Sequence, residues 1–305
     1  MSKDSTPIRV ALSGSTGFLG RALAERLAAA GHQVVPLSRR SHAAPGESIA
    51  WDPARGELDP DALAGIDAVV HLAGENIAQR WTDDVKREIR ESRVKSTALI
   101  ARTMQAMDKP PRVLLSGSAI GIYGDRGDEL LDESSAPGHG FLSDVVRAWE
   151  SATSELDRAD VRVVHLRTGL VLGRQGGALE RMLTPFKLGL GGRIGTGAQV
   201  MSWIALDDWT RAVEFLLGAG QAKGPVNLVA PVPVSNTDFT HALGHAIGRP
   251  TIVAVPETAI RVMFGEMGEA TILASQRVVP TRLLGAGFTF RHETIDSALR
   301  AVLAS

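Results

Sequence analysis

Ile8-Arg9-Val10-Ala11-Leu12-Ser13-Gly14-Ser15-Thr16-Gly17-Phe18-Leu19-Gly20 decides how this chain is read. The apolar residues at 8–12 read as a strand. Leu19, Leu23 and Leu27, at i, i+4 and i+8, read as one face of a helix over 19–30 that Gly31 closes. Gly14, Gly17 and Gly20 fall directly between the two. A diphosphate must come close to backbone N–H groups there, and a Cβ would obstruct it, while the helix N-terminus adds partial positive charge. A tight strand-to-helix turn without a ligand uses glycines too, but this order of strand, loop and helix points to a dinucleotide site.

Working outward, the alternation continues. Strands are expected at 34–37, 68–72, 113–115, 161–166 and 226–229. Helices are expected at 81–107, 142–156, 209–217, 238–247, 257–264 and 294–303. Such βαβ rhythm implies a parallel sheet covered by helices, an α/β fold of the doubly wound Rossmann type with a small, mainly helical C-terminal lobe. We place the dinucleotide-binding domain at 7–230 and the lobe at 231–305. The second strand runs into Leu37-Ser38-Arg39-Arg40. An acidic residue in this place would favour the ribose 2′-hydroxyl of NAD(H). Ser38, Arg39 and Arg40 instead suit a phosphate, so NADP(H) is expected ahead of NAD(H). The alternative for both arginines is a solvated surface position.

Composition narrows the function. With 33 Lys+Arg against 34 Asp+Glu the formal net charge is -1, which argues against nucleic acid as a partner. Cys is absent, so disulfides, thiolate nucleophiles and Cys-ligated metals are excluded. No apolar run has the length of a membrane span and the first residues are polar, so the expected partner is a small molecule and the expected location the cytoplasm. His241 and His245 have a metal-ligand spacing, but Ala242 stands where a zinc-protease Glu would be, and two surface histidines are expected. Asp128, Glu129, Asp132 and Glu133 read as a solvated acidic loop, and no metal site is expected. Asp207 or Asp208 is expected to cap the helix at 209–217. Trp203 and Trp209 suit either a pocket wall or the core.

The set of motifs resembles the extended short-chain dehydrogenase/reductases. It comprises Gly14-x-x-Gly17-x-x-Gly20, His71-Leu72-Ala73-Gly74, and Ser116-Gly117-Ser118-Ala119 followed by Tyr123-Gly124. Gly74-Glu75-Asn76-Ile77, Met201-Ser202-Trp203-Ile204 and Gly224-Pro225-Val226-Asn227-Leu228 narrow the resemblance. They are similar to the NAD-dependent epimerase/dehydratase subgroup, described also as nucleoside-diphosphate-sugar epimerases, which carries a C-terminal domain of unknown function. The resemblance implies a nicotinamide cofactor. It implies that Gly14, Thr16, Gly17, Phe18, Leu19 and Gly20 surround the diphosphate and that Arg39 faces the adenosine ribose. It also implies that Leu72, Ala73 and Gly74 run past the adenosine and central ribose, and that Thr168 and Leu170 lie near the nicotinamide. Ser118 matches the catalytic hydroxyl.

The chain departs from that family at one decisive point. The family's acid/base is a Tyr followed four residues later by a Lys that lowers its pKa. Here the only Tyr is Tyr123, the residue four further on is Gly127, and no Lys occurs between Lys109 and Lys187. The helix expected to carry the pair reads Phe141-Leu142-Ser143-Asp144-Val145-Val146-Arg147. Three readings stay open. Glu75 or Tyr123 substitutes as acid/base; the protein binds NADPH without turnover; or hydride transfer alone suffices, the proton coming from water or the ligand. The expectation is an epimerase- or oxidoreductase-like protein of unassigned substrate, with a non-catalytic NADPH-binding role as the alternative.

Overall fold

The computed structural model describes residues 6–39 and 48–304. Arg40 therefore lies outside the described residues. The chain opens with β1 (Arg9–Ser13), α1 (Phe18–Ala29), β2 (Gln33–Ser38), β3 (Ile49–Asp52), β4 (Glu57–Leu58) and β5 (Ala68–His71). Then come α2 (Asp83–Ala106), β6 (Val113–Ala119), the short β7 (Leu130–Leu131), α3 (Phe141–Ser151) and β8 (Arg162–Thr168). Thr82 starts α2 by accepting the Val85 N–H on its hydroxyl, and Asp83 and Asp84 place negative charge on its first turn.

The second half runs through β9 (Leu170–Leu172), α4 (Gly177–Lys187), β10 (Val200–Met201), β11 (Trp203–Ala205), α5 (Leu206–Gly218), β12 (Gly224–Leu228) and β13 (Val234–Ser235). It ends in α6 (Asn236–Ala246), α7 (Glu257–Phe264), the one-turn α8 (Glu266–Gly268), a π-helical turn at Glu269–Leu273, β14 (Arg277–Val278), α9 (Thr281–Gly285) and α10 (Ile295–Ala304). The helix α4 was not expected from sequence, because Pro185 and its glycine-rich surroundings mask its periodicity.

Eight strands form one sheet in the order β12-β8-β6-β5-β1-β2-β3-β4. All neighbours are parallel except β3 and β4. Along β1, successive side chains go to opposite faces. Val10 and Leu12 pack with Leu23 and Leu27 of α1 and Trp209, Val213 and Leu216 of α5. Ala11 instead joins Leu99, Ile100 and Met104 of α2. Burying each such side chain contributes about 1.5–3 kcal/mol. The chain moves outward from β1 to β2 on one side and resumes at β5 on the other. This reversal leaves a crevice beyond the carboxyl ends of β1 and β5, the place where open α/β sheets bind ligands.

The C-terminal part is stitched to this frame. α6 and α10 join β9, β11 and α4 in a core around Trp203 and Phe239. β14 pairs with β7, and Gln276 Nε2 donates to the carbonyls of Ile120 and Gly124. Asp208 corrects a sequence expectation. α5 begins at Leu206 without a side-chain cap. Asp208 is instead buried, accepts the N–H groups of Arg291 and His292, and pairs with Arg211. It anchors the approach to α10, a contact more than eighty residues away that local reading cannot see.

Candidate functional site

The three glycines of the first loop do different work. Gly14 has φ +70°, and a Cβ there would lie 2.9 Å from the carbonyl carbon of Leu72. A Cβ on Gly20 would fall on the Gly14 carbonyl, with Ser15 Cα 2.8 Å away. Both are needed to fold the loop. A Cβ on Gly17 would meet only the Gly14 carbonyl oxygen, at 3.3 Å. Gly17 is exposed, as is Thr16, and it starts α1 with no side-chain cap and no acidic residue in the first turn. The leading N–H groups of α1 are thus left for an anion, so the residues present fit a dinucleotide diphosphate. Phe18 packs against the turn that leads into α4, where Cβ atoms on Gly173 and Gly176 would strike its ring. Leu19 packs on the core.

His71 fixes the neighbouring crossover. Its Nδ1 lies 2.6 Å from Ser13 Oγ, and its Nε2 lies 2.9 Å from Ser96 Oγ. Ser96 donates its own proton to the Ser92 carbonyl, so Nε2–H donates to Ser96 and Ser13 donates to Nδ1. Ser13 Oγ in turn accepts the N–H groups of Leu72 and Ala73. This clamps Leu72, Ala73 and Gly74 beside the glycine loop. Burial, reinforced by Arg93, pushes the His71 pKa down to about 3. A histidine neutral in the fold and ordinary in the unfolded chain gives stability that is fully present above pH ~6.5 and lost as pH falls toward 3. In urea unfolding, this group should add a slope of up to about 1.4 kcal/mol per pH unit in that window. Burial also lowers the His165 pKa, which adds in the same direction. His71→Asn should show a shallower slope between pH 6 and 4, and unchanged slopes would refute the assignment.

Arg39 is exposed just past β2, with no carboxylate partner among the described residues. Ser38 ends β2 beside it. Thr168 and Leu170, at the end of β8 and the start of β9, lie in the wall of a cavity of about 340 Å³. Ala119 at the end of β6, Gly121 just beyond it, and Leu142, Val145 and Val146 of α3 also line it. The C-terminal part covers it through Asn236, Ala270, Thr271, Ile272 and Gln276. Leu142 and Val146 lie one helical turn apart and both face the cavity, so the helix presents hydrocarbon where an acid/base pair would act.

The polar side chains of this wall are already committed. Thr168 donates to Leu166 O, Ser202 to Gln276 O, and Thr271 to Met267 O. Arg93 is the sole ionisable side chain among the lining residues.

Ser118 and Tyr123 are placed away from this cavity. Ser118 is buried and donates its proton to Glu150 Oε1 at 2.6 Å. The Tyr123 ring is fully buried among Ile120, Ile122, Leu131, Val146, Val229 and Val278. Its hydroxyl donates to Asn227 Oδ1 at 2.8 Å and accepts from Arg167 at 3.0 Å. Burial pushes its pKa up despite Arg167. Neither group has a proton free for a ligand in this arrangement. Glu75 is exposed beyond β5, its backbone N–H bonded to Ser92 Oγ. The structure thus brings together the glycine loop and residues 72–74 on one side and Thr168 and Leu170 on the other, and leaves Ser118, Tyr123 and Glu75 outside the cavity wall.

Three residues escaped sequence reading. Glu150 and Arg167 form a buried bidentate pair, Nε to Oε1 at 2.8 Å and Nη2 to Oε2 at 2.9 Å. Arg93 sits on the buried stripe of α2 between Ile89 and Thr97. A charge on an otherwise buried stripe or strand was the available signal, hidden on α2 by its many other charged residues.

The remaining candidates are structural. Trp203 and Trp209 are fully buried and donate to Val232 O and Thr168 Oγ1. Glu133 accepts the N–H groups of Asn227 and Arg282, and Glu129 pairs with Arg126. Among the described residues, no group of three or more acidic or histidine side chains is arranged to hold a metal ion, and no helix is long and apolar enough to cross a membrane.

A doubly wound parallel sheet with an uncapped, glycine-lined helix N-terminus at its reversal point defines a Rossmann-type dinucleotide-binding fold. The chain belongs to the NAD dependent epimerase/dehydratase family, which matches residues 10–229, while residues 255–302 match a domain of unknown function, DUF1731. It is 44% identical to epimerase family protein Mb2239 of Mycobacterium bovis, over 95% of this chain and 96% of that one. The crystal structure of human epimerase family protein SDR39U1 with NADPH superposes with a TM-score of 0.90 at 34% identity, covering 97% of this chain and 99% of that chain. A structure described as the nucleoside-diphosphate sugar epimerase from Corynebacterium glutamicum gives a TM-score of 0.81 at 38% identity, covering 98% of this chain and 58% of that chain.

Proposed function

We propose that this protein binds NADP(H) across the β1/β5 crevice and works as an oxidoreductase limited to hydride transfer on a small molecule. The nicotinamide, when bound, supplies or accepts a hydride at its C4. The α1 N-terminus at Gly17 would hold the diphosphate, Arg39 would hold the adenosine 2′-phosphate, and Thr168 and Leu170 would border the nicotinamide ring at the cavity. Residues 7–230 hold the cofactor in this reading, and residues 231–305 cover the substrate. The human SDR39U1 structure, solved with NADPH, supports the choice of coenzyme.

The observation that carries the reading is the cavity wall itself. Apart from Arg93 it offers no ionisable group, and its hydroxyls already donate to backbone carbonyls. Epimerising a sugar through a ketone requires a base to take the hydroxyl proton, and no such base lines the wall. Hydride addition to an electrophilic carbon needs none in the site if the proton comes from water or from the ligand. The same wall favours a second reading, an NADPH-binding protein without turnover.

Calorimetry tests the coenzyme. A charge-assisted hydrogen bond contributes about 1.5–3 kcal/mol, so NADPH should bind at least roughly tenfold tighter than NADH. Arg39→Ala should remove most of that preference. Equal affinities in the wild type would overturn the assignment. On sugar-nucleotide panels, NADPH oxidation should be weak or absent.

A further inference from the structure

The cavity that the proposed function uses has one charged group in a mostly apolar wall whose polar side chains, Thr168, Ser202, Asn236, Thr271 and Gln276, are bonded within the protein, and among the described residues that group has no ion-pair partner. Arg93 projects from the middle of α2. One guanidinium nitrogen, Nη1, donates to Ile89 O at 2.9 Å. The guanidinium carbon lies 5.2 Å from the centre of the Trp149 ring, and the side chain passes close to Gly74, where a Cβ would lie 3.1 Å from Cζ. Trp149 is itself held by donating its indole N–H to Thr97. Among the described residues no carboxylate lies within 4.0 Å of Arg93. Glu75 is the acidic group whose field reaches it, and burial outweighs that field, pushing the Arg93 pKa down to about 10. It stays charged at neutral pH, and among the described residues its other N–H groups have no hydrogen-bond acceptor.

A guanidinium lying over an indole and held by one backbone carbonyl is a fixed fork with donors to spare. Planar oxyanions satisfy such a fork with two parallel hydrogen bonds. The same cavity is lined by Ile77, Ile89, Leu142, Val145, Met182 and Ile272. These side chains suit hydrocarbon and give no purchase to the many hydroxyls of a sugar.

We infer that the ligand of this cavity is a small carboxylate with an apolar body, its carboxylate held by Arg93 and its hydrocarbon by the surrounding wall, rather than a nucleotide sugar. This rests on the proposed cofactor reading only for what lies next to the ligand. Arg93 is a binding residue here and fixes the orientation of the ligand in the cavity.

The test uses 2-naphthoate and hexanoate as probes, with 2-naphthamide and hexanamide as uncharged isosteres. Calorimetric titrations are run on the full chain with and without saturating NADPH. At least one carboxylate should bind, at least about tenfold tighter than its amide. Arg93→Met, which keeps an unbranched chain over Trp149, should reduce carboxylate affinity to that of the amide and leave NADPH affinity unchanged. Arg93→Lys should retain part of the preference. UDP-glucose should not compete with the carboxylate. Failure of both carboxylates to bind, equal binding of acid and amide, a preference that survives Arg93→Met, or displacement by UDP-glucose would each overturn the inference. A protein that binds naphthoate through Arg93 but takes up no NADPH would remove the cofactor reading and leave this one standing.

Discussion

Gly17→Val should lower NADPH affinity by more than a hundredfold in a chain that remains folded. The backbone at Gly17, φ -75° and ψ 172°, is extended and open to any residue. The one close atom is the Gly14 carbonyl oxygen at 3.3 Å, which has to give by a few tenths of an ångström. Losing a glycine from a helix start in favour of a branched apolar residue costs about 1 kcal/mol. The valine methyls would instead occupy the space in front of the first α1 N–H groups. Two charge-assisted hydrogen bonds lost there, each about 1.5–3 kcal/mol, give the hundredfold figure. Gly20→Ala makes the contrast. Its Cβ would meet backbone on every side, with Gly14 C at 2.7 Å, and should cost about 3 kcal/mol or more of stability. Thermal unfolding and NADPH titration of the two variants separate the roles. A folded Gly17→Val chain with ordinary NADPH affinity would put the diphosphate elsewhere.

That contrast shows what a sequence discloses. The spacing of Gly14, Gly17 and Gly20 announces a strand, a turn and a helix, since those constraints act between neighbours in the chain. The division of labour among the three depends on the Leu72 and Gly14 backbones and needs coordinates. The absence of a Tyr–Lys pair was equally legible, because it concerns residue type. What took its place was not. Leu142 and Val146 become a cavity wall only once α3 is rotated against β6 and covered by the turn at Glu269–Leu273. Ser118 looked available as a hydroxyl at a strand end, and its proton is held by Glu150, thirty-two residues away. β6 extends to Ala119, well past the apolar part of its sequence, because the polar Ser116 and Ser118 are buried and bonded within the fold.

Arg167→Met should be the most damaging single change outside the glycine loop, costing about 3–5 kcal/mol. Side-chain exposure is 8% for Arg167 and 12% for Glu150, so water cannot replace the lost partner. Burial pushes the Glu150 pKa up, and the hydrogen bonds and charge of Arg167 outweigh it, holding the carboxyl below its ordinary value. The pairing likewise holds the Arg167 pKa up against burial. Removing Arg167 leaves Glu150 with the Ser118 hydroxyl, and with His165, whose Nδ1 lies 3.9 Å away and has no hydrogen-bond partner among the described residues. It also frees the Tyr123 oxygen from one donor. The double variant Glu150→Leu/Arg167→Met should recover at least half of the loss, because the cost lies in the stranded charge rather than in the missing contact. The pH dependence has a definite sign. Glu150 has a depressed pKa in the fold, so its contribution is present above the unfolded carboxyl pKa near 4.5 and disappears as pH falls through the folded value. In Arg167→Met burial acts on Glu150 without the compensating guanidinium and raises its pKa, so the stranded charge is neutralised as pH falls, and the gap between wild type and Arg167→Met should narrow as pH is lowered from 7 toward 4 in urea unfolding experiments. A gap that stays constant over that range, or a double variant no more stable than the single one, would show that Arg167 acts through packing and not through its charge.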